Sequence, residues 1–149
     1  MIIPFVNSDL REISTSTLAY IGDAVYELYA RCHVASQCVS KSGMMHKLSV
    51  KYVSAVAQAK AVRLLQDELN TTEMSYYKRG RNSNPGSMAK NASPEDYRCA
   101  TGFETLIGYL FLDNKTERME FLITKTFALL DNEEWNWEEY ASDEFETKD

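Results

Sequence analysis

The stretch Leu18-Ala19-Tyr20-Ile21-Gly22-Asp23-Ala24-Val25-Tyr26-Glu27 decides the fold of this 149-residue chain. Leu18, Ile21, Val25, Leu28, Tyr29 and Cys32 recur at ~100° per residue, which predicts one long amphipathic helix. Ser14-Thr15-Ser16-Thr17 supplies N-cap candidates in front of it. Asp23 and Glu27 lie one turn apart beside the apolar stripe. Gly22 and Ala24 flank Asp23 and leave room for a second helix to approach.

Thr101-Gly102-Phe103-Glu104-Thr105-Leu106-Ile107-Gly108-Tyr109-Leu110-Phe111 repeats the pattern. Glu104 has Ala100 one turn before it, Gly108 one turn after it and Gly102 nearby. A lone acid among apolar residues is costly to bury without something positive against it. Either acid taken singly reads as a residue at the solvent edge, paired with Arg31, Arg98 or Lys90. Two acids in matched small-residue settings point instead to a hard-cation site of oxygen ligands. Mg²⁺ suits it, because this ion needs only one or two carboxylates beside waters and phosphate oxygens.

The rest of the chain reads as all-α. A helix is expected from about Ser49 to Glu68, after a polar connection that includes Ser40-Lys41-Ser42-Gly43 and His46. Thr71-Thr72-Glu73 caps a shorter helix ending near Arg79. Gly80-Arg81-Asn82-Ser83-Asn84-Pro85-Gly86-Ser87 reads as a helix-breaking loop. Ser93 and Pro94 start the helix that carries Glu104, and Asp113-Asn114-Lys115 separates it from a last amphipathic helix. Residues 1–131 form one domain, large enough for a core. Residues 132–149 are an acidic tail with Trp135, Trp137, Tyr140 and Phe145, whose charge favours disorder.

Charge is unevenly placed. The formal net charge is −6, but the tail holds eight acids against one lysine. Lys41 to Arg98 carries ten bases against five acids, so a polyanion surface is expected there despite the low pI. Lys78, Arg79, Arg81 and Asn82, followed by Lys90 and Arg98, are the candidates for holding nucleic-acid phosphates and 2′-hydroxyls. Cys32, Cys38 and Cys99 are odd in number and form no CxxC pair, which argues against a disulfide framework or a zinc site. The N-terminus shows no secretory pattern, and no run reaches the ~18 apolar residues of a membrane span. These features place the protein in the cytoplasm.

Gly22-Asp23-Ala24 at the end of an apolar stretch resembles the signature helix of the RNase III endonuclease family. The ordered set of that motif, Lys78-Arg79-Gly80-Arg81-Asn82, Lys90-Asn91, Tyr97-Arg98, Phe103-Glu104 and Gly108-Tyr109-Leu110-Phe111 resembles the Mini-ribonuclease III branch over roughly residues 10 to 130. The resemblance implies the all-α RNase III catalytic fold as a twofold homodimer, with Tyr20 at the interface. It implies Asp23 and Glu104 as catalytic Mg²⁺ ligands, and cleavage of double-stranded RNA to 5′-phosphate and 3′-hydroxyl ends. The biological task it implies is maturation of 23S ribosomal RNA, with a ribosomal protein presenting the substrate. It is a resemblance to the catalytic domain alone, as the residues after Asp131 are too few for a double-stranded-RNA-binding domain. Two positions depart from the larger family members: Ala19 and Thr101 stand where those carry further carboxylates. The departures favour one alternative, a non-catalytic module of the same fold that binds structured RNA. Another is a helical adaptor that uses the aromatic-acidic tail.

Overall fold

A computed structural model describes residues 9–37, 42–83 and 92–132. Among these residues there are six α-helices and no strand: α1 Thr15–Ala35, α2 Ser42–Val53, α3 Ala55–Leu65, α4 Thr71–Arg81, α5 Pro94–Leu112 and α6 Thr116–Asp131. Their starts follow the chain's polar punctuation. Ser14, Ser54 and Ser93 each accept a backbone N–H from three residues on, and Asn70 forms a capping box with Glu73. Asn114 takes a φ of 57° between α5 and α6, a conformation its short polar side chain tolerates. The acidic tail beyond Asn132 lies outside the described residues, as do Cys38, Lys41, Lys90 and Asn91.

Helix α5 is the axis of the fold, packed against α1, α3, α4 and α6. Phe103, Leu106, Ile107, Tyr109, Leu110 and Leu112 are all buried, so it is apolar around most of its circumference. Tyr26 of α1 sets its ring edge-on to Phe103 at 5.1 Å and donates its hydroxyl to the Tyr52 carbonyl at 2.8 Å. His33 stacks on Phe127 and meets the Asp131 carboxylate at 3.1 Å, which ties the end of α1 to the end of α6. Buried Glu73 accepts from Arg118 at 2.8 and 2.9 Å and links α4 to α6.

Helices α1 and α5 meet backbone to backbone. A Cβ on Gly22 would lie 1.7 Å from the Glu104 carbonyl oxygen, and one on Gly108 would lie 2.0 Å from the Leu18 carbonyl oxygen. The small residues around the two acids are therefore what allows the acid-bearing helices to touch.

Three expectations from sequence are corrected. The helix expected over Ser49 to Glu68 is broken, because Ser54 adopts extended backbone and caps a new helix, α3. Ser42-Gly43 and His46 belong to α2 rather than to a polar connection. Gly80 and Arg81 are the last residues of α4, which runs past the end expected near Arg79 instead of breaking into a loop at Gly80. Gly80 there serves close packing: a Cβ on it would fall 2.3 Å from Thr105 Oγ1 and 2.8 Å from the Gly102 Cα.

The same substitution should have opposite signs at two helical glycines. Gly22→Ala must push α1 off α5 and should cost at least about 3 kcal/mol. Gly43→Ala meets nothing within 4 Å and should stabilise by up to about 1 kcal/mol. Urea unfolding of the two variants beside the unsubstituted protein measures both.

Candidate active site

Asp23 follows directly on Gly22, and Glu104 is the residue whose carbonyl Gly22 touches. The contact thus brings the two carboxylates together across the α1–α5 seam. Asp23 is exposed and Glu104 lies deeper. Burial pushes the Glu104 carboxyl up to about 8, and the charge of Asp23 and a hydrogen bond to it add to the shift. A hydrogen bond from Gln58 works against these. The Asp23 carboxyl is raised by burial and then by the charge of Glu27, against the hydrogen bond it accepts from Glu104. Metal-free, the pair shares a proton because two adjacent anions are unfavourable.

Among the described residues, no group of three or more His, Cys, Asp or Glu forms a ready-made metal cage. Two converging carboxylates fit a hard, hydrated cation that completes its shell with water and substrate oxygens. Glu27 is not part of the pair, since it accepts from Arg31 at 3.1 Å along the helix surface. Ala19 is buried, and the Thr101 hydroxyl donates back to the Tyr97 carbonyl at 3.0 Å. Neither position supplies a further carboxylate.

Gln58 of α3 is the neighbour that sequence reading missed. It is 1% exposed and donates from Nε2 to Glu104 Oε1 at 3.3 Å. Its only trace in the sequence is a polar residue between Ala57 and Ala59 on the buried side of a short helix.

The basic residues divide. Lys78, Arg79 and Asn82 line an open groove along α4 with Leu69, Asn70, Thr71, Met74 and Ser75, so cations, amides and hydroxyls stand beside two apolar side chains. Arg79 also lies over the Tyr76 ring and donates to Thr15 Oγ1 at 3.4 Å, which brings the basic end of α4 to the start of α1. Asp23 is two turns further along α1, roughly 12 Å by helical rise. Arg81 turns to the Tyr77 ring, and Arg98 is exposed on α5. Tyr20 is 82% exposed, and with Ala24 and Leu28 it forms an exposed stripe along α1 beside Asp23.

The Ribonuclease III domain family matches residues 16–115, a span that holds both carboxylates and the basic end of α4. The chain belongs to the ribonuclease III family, and within it to the Mini-ribonuclease 3 group. Mini-ribonuclease 3 of Clostridium tetani is 43% identical over 89% of this chain and 88% of the relative. That of Brevibacillus brevis is 44% identical over 78% and 87%, and that of Kosmotoga olearia 34% over 96% of both. A solved structure of a Fusobacterium nucleatum protein superposes with a TM-score of 0.73 at 27% identity, covering 79% of this chain and 96% of that one. The protein is an endoribonuclease, which removes the adaptor and non-catalytic readings.

Glu104 makes metal-free stability depend on pH. Its folded carboxyl holds a proton up to about pH 8, whereas the unfolded one releases it near 4.5. Between those values the folded state binds more protons, so stability falls as pH rises through the window. Glu104→Gln removes this dependence: the variant should melt higher than the unsubstituted protein at pH 8 and much closer to it at pH 4.5. Thermal melts in EDTA across that range measure the difference.

Proposed function

We propose that the protein is a Mg²⁺-dependent endonuclease of double-stranded RNA that acts as a twofold homodimer in the cytoplasm. The observation that carries this reading is the Asp23–Glu104 pair, two carboxylates held together by a glycine-mediated helix contact beside a cationic groove. Asp23 and Glu104 would hold the ion, which when bound activates water and offsets charge on the phosphate under attack. Addition of water at phosphorus and loss of the 3′ oxygen leaves a 5′-phosphate and a 3′-hydroxyl. Lys78, Arg79 and Asn82 hold the RNA backbone along α4, with Arg81, Lys90 and Arg98 as further contacts. Hydroxyl and amide side chains in the groove suit the 2′-hydroxyls and phosphates of an A-form duplex, which is recognised by shape more than by base edges.

A duplex presents two antiparallel strands, and two sites related by a twofold axis cut both. The exposed Tyr20, Ala24 and Leu28 stripe gives the dimer reading its physical support, since a large aromatic that is 82% exposed gains most from a partner. The relatives carry the name Mini-ribonuclease 3. The substrate proposed is the 23S ribosomal RNA precursor, presented by a ribosomal protein. Free Cys32 and Cys99 fit a reducing compartment.

Asp23→Asn keeps the side-chain shape and removes the charge that attracts the ion. It should abolish Mg²⁺-dependent cleavage of duplex RNA, by about 10²-fold or more, while RNA binding and helical content persist. A variant that still cut at near-normal rate would reject the site.

Tyr20→Ala should weaken self-association by about 3 kcal/mol if the ring is enclosed by the partner. Sedimentation over a micromolar concentration series would read this. An unsubstituted protein that sediments as a monomer would reject the dimer.

A further inference from the structure

The break between α2 and α3 leaves the Val53 carbonyl without a helical partner, and Gln58 takes it. Gln58 Nε2 donates to Val53 O at 2.9 Å and, with its other hydrogen, to Glu104 Oε1 at 3.3 Å. Both partners are acceptors, so they fix which end of the amide is nitrogen. Its Oε1 is then buried without a hydrogen-bond partner, alone in this respect among the side chains of the described residues. An orphaned buried carbonyl is unfavourable, and a donor beside Oε1 would remove the loss. The amide is also neutral. It orients Glu104 through one oxygen without cancelling the negative charge that a cation requires, as a lysine or arginine would.

We propose that Gln58 is a positioning residue for the cation site: Nε2 holds one oxygen of Glu104 so that the other faces Asp23 and the ion, and Oε1 accepts from a water of the ion's hydration shell. The inference rests on the reading of Asp23 and Glu104 as cation ligands. Mg²⁺ keeps several waters when bound, and those waters are the donors that Oε1 lacks. Partners of this kind fix the orientation of a metal ligand, and their loss typically weakens metal binding by about 10–100-fold.

The test uses the full chain and Mn²⁺ as probe, with free Mn²⁺ counted by its paramagnetic resonance. Gln58→Met preserves length and removes both polar atoms. It should bind Mn²⁺ about 10–100-fold more weakly, with helical content retained. Asp23→Asn is the parallel control. Weakening by both variants supports the proposal. Weakening by Asp23→Asn alone overturns the role of Gln58 and leaves the cation site standing. Unchanged binding in both variants overturns the cation site, and this inference with it. A second measurement needs no substitution. The side-chain amide resonance of Gln58 should move on Mg²⁺ addition with the same midpoint as the backbone amides of Asp23 and Glu104. A Gln58 signal that stays still while those two move overturns the proposal, whether or not Gln58→Met folds.

Discussion

Everything at the site depends on how closely α1 can approach α5. With glycine at 22 and 108, each helix lays its backbone against a carbonyl of the other, an approach that any side chain at those positions would prevent. This contact places Asp23 within reach of Glu104. The cost is electrostatic: two carboxylates, one of them withdrawn from water, are forced to share space. Glu104 shows that cost: burial raises its carboxyl, and the charge of Asp23 raises it further. A fold selected for stability alone would place an apolar residue at 104.

The surrounding helices each add one element to this seam. Helix α3 delivers Gln58 beneath Glu104, and it can do so because Ser54 ends one helix and starts the next just before it. Helix α4 packs on the opposite side of α5 through Gly80 and Gly102, the latter against the Tyr77 ring. That docking carries Lys78, Arg79 and Arg81 to the α4 C-terminus, where the helix dipole favours cations. Arg79 then reaches the first residue of α1. Acid pair and basic groove are thus held by the same two glycine-rich interfaces of α5, a rigid frame for positioning a phosphate against a cation.

The ribonuclease III family is matched over the span that contains this frame. Ala19 packs inside and the Thr101 hydroxyl bonds back to its own helix, so neither adds a carboxylate to Asp23 and Glu104. The proposed cation site therefore depends on how these two acids are oriented, which is the task proposed for the buried amide against Glu104.

The apolar periodicities of α1, α5 and α6 and the caps at Ser14 and Ser93 were legible in the sequence, because they depend on residues close along the chain. So were Asp23 and Glu104, as lone charges in small, apolar surroundings. The break at Ser54 was not legible. A serine inside an alanine-rich pattern reads as helix until the packing of α2 and α3 in different directions selects its extended backbone. Gly80 and Arg81 read as the start of a loop because glycine ordinarily breaks helices, and only the 2.3 Å approach to Thr105 reveals why this one is kept inside α4. Gln58 lies 46 residues from Glu104, and no local pattern links them. The sequence by itself determined that the chain is helical and which acids are out of place. Tertiary structure alone decided that the acids meet, and which buried amide holds one of them, because both depend on distances between helices rather than along them.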